Sequence, residues 1–179
     1  MIEKLDILYL DKVLGGDKEA FRYFIKTYQD MAYSISMSMV KNDVDAKDVV
    51  QNSFIKAYRK LKSFKREAKF STWFYKIVVN ESLIHLRKKR NQNKKERRVV
   101  DAPKTTTNPA VYANFDKSEK AKKIEKALSK MKPKEALLMK LYYLHEYSMD
   151  EIVKMTGFSV SNVKILLFRG RKSFKEHYH

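Results

Sequence analysis

The sequence predicts an all-α fold of two helical domains joined by a flexible linker, the second domain built around a helix-turn-helix. Three observations carry this. Only 4 Gly and 3 Pro occur among 179 residues, too few for the tight turns of a β-rich architecture. Apolar side chains recur at three- and four-residue steps along most of the chain. Residues 91–123 interrupt that periodicity with a polar, basic stretch holding Pro103 and Pro109, which cannot bury enough surface to order itself. The expected organisation is a domain over 1–92, a linker over 93–121 and a domain over 122–179.

In the first unit, Gly15-Gly16 ends one short helix and Asp17 is a suitable N-cap for the next. From there Phe21, Phe24, Ile25, Tyr28, Met31, Ala32 and Ile35 form a stripe that should be buried. A break at Asn42-Asp43 precedes a helix with Val50, Phe54, Tyr58 and Leu61 on one side and Asp45, Asp48, Gln51 and Asn52 largely on others. Residues 63–69 read as a loop. Ser71 or Thr72 then starts a helix running towards Arg90, with Trp73, Ile77 and Ile84 on one face. Lys76, Asn80, Leu83, Arg87 and Arg90 share the opposite face. A packed side and a basic side on one helix suit an element that contacts nucleic acid.

In the second unit, Ile124, Leu128 and Met131 mark a helix stopped at Lys132-Pro133, and Leu137, Leu138, Leu141 and Leu144 mark the next. Ser148-Met149-Asp150-Glu151 is a capping box. The helix it starts stops at Thr156-Gly157, and Ser159 caps another after a three-residue turn. Two short helices with a Gly-containing turn, the second ending in Arg169-Gly170-Arg171-Lys172, fit a helix-turn-helix. Val160, Val163 and Leu167 should pack inward, leaving Ser161, Lys164, Ile165 and Phe168 outward. Two exposed large apolar residues need a reason. Contact with thymine methyl groups in a major groove supplies one; packing against another part of the chain supplies the other.

The net charge of +18 is unevenly placed. Residues 62–98 hold 13 basic and 3 acidic residues, whereas residues 1–61 hold 10 and 9. A solubility device would be spread out, so the clustering points to a polyanion, with nucleic acid first. The absence of cysteine removes disulfide and thiol chemistry and favours a reducing compartment. No apolar run approaches the ~20 residues of a membrane span, and the start of the chain lacks a signal peptide's basic and apolar regions; a cytoplasmic protein without membrane insertion is expected. His85, His145, His177 and His179 show no metal-ligand spacing. With no phosphate loop or nucleophile elbow either, neither a catalytic site, a metal nor a cofactor is expected.

Residues 19–91 resemble region 2 of an extracytoplasmic-function sigma factor of bacterial RNA polymerase. The resemblance is carried by Asp45-Ala46-Lys47-Asp48-Val49-Val50-Gln51-Asn52-Ser53-Phe54 and by Phe70-Ser71-Thr72-Trp73-Phe74-Tyr75-Lys76-Ile77-Val78-Val79-Asn80. Residues 124–175 resemble region 4, notably in Tyr147-Ser148-Met149-Asp150-Glu151-Ile152 and Ser161-Asn162-Val163-Lys164. The resemblance implies a promoter-specificity subunit. It implies docking on core RNA polymerase through Asp45, Asp48, Gln51 and Phe54. It implies engagement of an opened −10 strand by Lys65, Arg66, Lys69 and Phe70 and by Lys76, Asn80, Arg87 and Arg90. It implies reading of a duplex −35 element by Ser161, Lys164, Ile165, Phe168, Arg169 and Arg171. An anti-sigma factor is a further partner the family implies. Lys47 and Asn52 stand where acidic residues are common, Ile84 where Asp is common, and Ile165 and Leu166 where polar or basic residues are usual.

An opened strand must be held by phosphate contacts and stacking, which Lys65, Arg66, Lys69, Phe70, Trp73 and Tyr75 offer. Trp73 at helical spacing with Ile77 fits the core better than a stacking platform. The competing reading is a stand-alone helix-turn-helix regulator whose first unit oligomerises or senses an effector. An RNA-binding adaptor is a third, lacking any aromatic sheet motif.

Overall fold

Eight α-helices and no strand make up the residues that the computed structural model describes, 2–96 and 119–178. Most of the expected linker, residues 97–118, lies outside the described residues. Helix α1 (Ile2–Leu14) ends at a glycine pair in which Gly16 takes φ 108°, a backbone conformation that a side chain would strain. Asp17 accepts from the N–H of Ala20 and caps a 3-10 turn, Lys18–Phe21, that feeds α2 (Arg22–Val40). Asn42 accepts from the N–H of Asp45 and caps α3 (Asp43–Lys60). After a 3-10 turn, Leu61–Ser63, and a short loop comes α4 (Phe70–Glu96), which starts one residue earlier and runs six residues further than the sequence predicts.

Helices α2, α3 and α4 pack on one another around Phe24, Phe54, Phe70, Phe74 and Tyr28. The Phe24 and Phe70 rings lie 4.2 Å apart and those of Phe54 and Phe74 4.5 Å apart. Helix α1 is pinned by a buried carboxylate, Asp6, which accepts from the hydroxyls of Tyr28 (2.5 Å) and Tyr23 (3.0 Å). Burial, and then the hydrogen bond to Asp6, pushes the Tyr23 hydroxyl up to about 12, so both tyrosines stay neutral donors. Two expected core positions are exposed, Ile25 and Ile84. Burial on α4 centres on Phe74, Val78 and Ser82, because α2, α3 and α7 all pack on this helix, and Ile84 falls beyond the edge of that sector.

In the second unit, α5 (Glu119–Lys130) leads to α6 (Pro133–Met139), with Pro133 in its first turn. A π-helical turn, Lys140–Leu144, extends α6. Its extra residue shifts the helical phase, and Leu144 therefore points to solvent instead of following Leu137 and Leu141 inward. The capping box forms as expected. Ser148 Oγ accepts from the N–H of Glu151, whose carboxylate accepts from the N–H of Ser148 at 2.9 Å. Helix α7 (Met149–Thr156) ends at Gly157 in the left-handed region, φ 69°, and Ser159 caps α8 (Val160–His177). Val163 and Leu167 are buried, but Val160, in the first turn of α8, projects past α7 and is exposed. At Gly170 a Cβ would approach Met139 Cγ to 2.9 Å, so its lack of a side chain sets the α6–α8 separation.

The two units do not stand apart. Helix α6 lies on α2 and α7 lies on α4, and one apolar cluster runs from Leu10 through both units to Leu167. Ser148→Ala should lower the unfolding free energy by ~1 kcal/mol, measured by urea titration. Hydrogen bonds from the Ser148 backbone and side chain hold the Glu151 carboxyl below its ordinary value. Its contribution is therefore present above the unfolded-chain pKa of about 4.3 and is lost as pH falls through the lowered folded value. The acid limb of the stability curve should flatten in the Ser148→Ala variant.

Candidate nucleic-acid and partner-docking surfaces

The solvent face of α3 carries Val44, Asp48, Gln51, Asn52, Ile55 and Arg59, all exposed. Asp48 and Gln51 lie where the sequence predicts. Asp45 turns instead towards α4, with Lys89 Nζ at 2.6 Å and His85 Nε2 at 3.2 Å from its Oδ2. Partial burial opposes ionisation there, but Lys89 and His85 hold the carboxyl below its ordinary range, so Asp45 braces α3 against α4. Phe54 is buried against Phe74 and supports the face from beneath. Val44 and Ile55, 65% and 43% exposed, are apolar members of this face that were missed. Their signal was present: 44, 48, 51 and 55 follow i, i+4, i+7, i+11, a single helical stripe.

The second surface runs from the 65–70 loop along α4. Lys65, Arg66 and Lys69 are exposed, as are Lys76, Asn80, Arg87 and Arg90 on the helix. Arg66 adopts φ 57° and ion-pairs with Asp11 of α1, which fixes the loop against the first helix. Phe70 is 3% exposed. It sits between Phe24, Phe64, Trp73 and Phe74, so it anchors the loop and does not offer a face to a base. Trp73 is half-buried against Phe64 at 5.1 Å, closer to core than platform. Lys56 and Glu81 pair at 2.5 Å between α3 and α4, leaving the cations of the outer row without that neutralisation.

The third surface is α8. Ser161, Lys164, Ile165, Phe168, Arg169 and Arg171 are all exposed, with Ile165 at 50% and Phe168 at 66%. Packing within the described residues therefore does not account for these two apolar side chains. Arg171 donates to the Tyr143 hydroxyl at 3.2 Å, which ties the far end of the helix to the π-helical turn. A groove between α8 and the α5–α6 junction brings Lys130, Lys132 and Lys172 beside Phe168 and Arg169. The sequence marks Lys132 and Lys172 only as helix ends and does not mark Lys130, because charge counted along the chain does not reveal neighbours across a turn.

Two family models match this chain: sigma-70 region 2 over residues 24–92 and sigma-70 region 4 over residues 121–174. The chain is 29% identical over 174 residues to the extracytoplasmic-function sigma factor SigW of Bacillus subtilis, covering 93% of each. The chain belongs to the extracytoplasmic-function sigma factors. The sigma-E factor of Haemophilus influenzae is 42% identical over 88 residues, spanning 48% of this chain and 46% of its own length. Among solved structures, the sigma factor RpoE of Bartonella quintana, in complex with the anti-sigma factor NepR, shares the fold with a TM-score of 0.65. That match is at 20% identity over 87% of this chain and 94% of its own. The region 2 match removes the main support for a stand-alone regulator, since it gives the first unit a function of its own. Sigma factors are specificity subunits, not a family of enzymes. No described helix of this one is long and apolar enough to cross a membrane.

Phe70→Ala should cost ~3–5 kcal/mol of stability, read by thermal or urea unfolding. A loss of DNA binding with unchanged stability would instead place Phe70 at the surface.

Proposed function

We propose that this sigma factor divides promoter recognition between its two basic surfaces while α3 docks it on core RNA polymerase. The observation that carries the reading is the separation of three exposed faces on matched regions. A mixed polar and apolar face lies on α3, a cationic row on α4, and a cationic row with two bare apolar side chains on α8. On α3, Asp48, Gln51 and Asn52 flanked by Val44 and Ile55 suit a protein partner, since apolar anchors within a polar rim are the usual composition of such contacts. Asp45 and Phe54 act there by position. On α4, Lys76, Asn80, Arg87 and Arg90 follow the backbone of the −10 strand, and Lys65, Arg66 and Lys69 hold the strand where it opens. On α8, Lys164 and Arg169 supply donors to base edges of the −35 duplex. Ile165 and Phe168 meet thymine methyl groups, while Ser161 and Arg171 contact the flanking backbone.

The boundaries 1–92, 93–121 and 122–179 describe the working parts: polymerase and −10 binding, connection, and −35 binding. The protein carries out no covalent step itself and works in the cytoplasm, where polymerase and DNA are. An anti-sigma factor fits as a regulator, in keeping with the Bartonella quintana relative solved with one.

Pull-down with core polymerase, followed by transcription from a matched promoter, tests the reading. Tight operator binding by the free protein without polymerase association would overturn it. Lys164→Ala should impair promoters according to their −35 sequence, by roughly 5–150-fold for a lost base contact worth ~1–3 kcal/mol. Arg87→Ala should act through −10 engagement or opening and be indifferent to the −35 sequence. Equal loss on every −35 variant would contradict the division of roles. Binding of the holoenzyme to promoter DNA should weaken steeply with salt, and each removed phosphate contact should reduce the log–log slope by about one.

A further inference from the structure

The cations in the groove between α8 and the α5–α6 junction come from two elements that the fold holds in a fixed relation. Met131 is 1% exposed, and with it turned inward its neighbours Lys130 and Lys132 are both turned out. Lys132 takes φ −62° and ψ 141° ahead of Pro133, the extended conformation that a following proline enforces. On the other side of the groove, Gly170 lets the α8 backbone approach α6. A Cβ there would lie 3.6 Å from the Glu135 carbonyl oxygen. These two constraints set the distance from the turn to the C-terminal half of α8. They place Lys130 and Lys132 beside Arg169 and Lys172, with the Phe168 ring at the edge.

All four cations are exposed, and among the described residues none of them takes part in a salt bridge. Two carboxylates line the same groove, Glu135, which is 6% exposed, and Glu176, which is exposed. Glu176 offsets part of the mutual repulsion of the cations, and a polyanion would relieve the rest. The groove also adjoins the outward face of α8. Residues two apart on a helix point about 200° apart. Arg171 is turned towards Tyr143 of the π-helical turn, so Arg169 leaves α8 on the opposite flank, where the groove lies. A helix with its side chains is about 10–12 Å across, and a major groove is about 12 Å wide. With α8 on base edges, its two flanks therefore face the two phosphate walls of the duplex. Lys172 lies eight residues beyond Lys164, about 12 Å farther along the helix, past the base-reading side chains.

We propose that the α5–α6 turn is a phosphate-binding element for the −35 duplex: Lys130 and Lys132, with Lys172 across the groove, hold the sugar–phosphate strand on the flank of α8 away from Arg171. The turn lies outside the helix-turn-helix. It adds affinity and fixes the angle at which α8 enters the duplex, and it reads no sequence. This role rests on the assignment of α8 to the −35 element. The occupant follows from charge complementarity and from continuity with the outward face of α8 through Phe168, 66% exposed. Glu176, on the same flank, weakens the grip.

Holoenzyme assembled with full-length Lys130→Gln and Lys132→Gln variants tests this, with promoter binding followed from about 50 to about 200 mM salt. Each substitution should lower affinity by roughly five- to tenfold near 0.1 M salt and reduce the log–log slope by about one. The loss should be equal on matched and altered −35 sequences, because a phosphate carries no base identity. Lys132→Arg keeps the charge and should keep the wild-type slope. Glu176→Gln should bind more tightly. Replacing single phosphates beside the −35 element by neutral methylphosphonates locates the contact. Wild type should be weakened at positions on one strand, and the double glutamine variant should be indifferent at those same positions. An unchanged salt slope in the glutamine variants, with helicity intact by circular dichroism, would overturn the role of the turn. So would a loss that follows the −35 sequence. Weakened assembly with core polymerase at unchanged promoter affinity would make the turn a protein contact and overturn it as well. Lys164→Ala separates the two levels. If its effect does not depend on the −35 sequence, the assignment of α8 fails; if it does while the turn variants keep their slope, the turn alone fails.

Discussion

Everything in the first unit depends on how α4 is gripped. Phe70, Phe74 and Val78 are almost wholly buried, held by α2 and α3 and, from the other unit, by α7. A helix covered on so many sides has limited surface left, and Lys76, Asn80, Arg87 and Arg90 form one row of it. Because the aromatic rings fix α4 in rotation, those four side chains leave the helix on one side, and only their own rotamers remain to be ordered on binding. The same grip explains why the loop before α4 is shaped. Phe64 and Phe70 are sunk at its two ends, so Lys65, Arg66 and Lys69 are displayed on a short span whose anchors are already buried.

Charge is managed by the same packing. Two acidic residues beside the basic helix pair with partners outside the row of Lys76, Asn80, Arg87 and Arg90, whereas Asp11 pairs with Arg66 of the loop. Asp45 takes Lys89 and His85, and Glu81 takes Lys56. Exposed pairs of this kind contribute little stability, but half-buried ones consume the negative charge that would otherwise screen a polyanion-binding face. Excess positive charge in residues 62–98 is thus converted from a property of composition into a surface with a direction. The outward face of α3 keeps Asp48, Gln51 and Asn52, bounded by Val44 and Ile55, and is chemically unlike the other two faces.

Much of this was legible in the sequence because it is local. The glycine pair, the Asn42 break, the capping box at Ser148 and the Gly157 turn each depend on residues within four positions of one another, and each forms. The helix-turn-helix and its outward Lys164, Ile165 and Phe168 follow from the same local punctuation. What was not legible depends on partners far along the chain. Phe54 and Phe70 belong to motifs, yet their burial is decided by other helices, α4 for Phe54 and α2 for Phe70. Asp45 has the spacing of a surface residue but turns towards α4, about 40 positions away. Leu144 fails to follow its stripe because one residue is inserted in the π-helical turn, and periodicity assumes a constant pitch. The seam between the units was least legible of all: two units separated by a polar stretch read as independent, and only the contacts of Lys41 with Ser129, Lys140 with Ser34 and Tyr147 with Tyr75 show that they share a core.

That shared core changes the meaning of the bare apolar side chains on α8. Ile165 and Phe168 stay exposed even when the units are closed on each other, so closure does not protect them, and they cannot owe their character to the seam. The first turns of α4, by contrast, are partly covered by α7 and by the turn that precedes it. The cations of both basic surfaces nonetheless stay exposed, Lys164 and Arg169 on α8 and Lys65, Lys69, Lys76 and Arg87 on and before α4. What α7 and the turn before it cover is the apolar flank of α4 around Tyr75, not its cationic row, so the packing of the two units leaves both basic surfaces open to solvent.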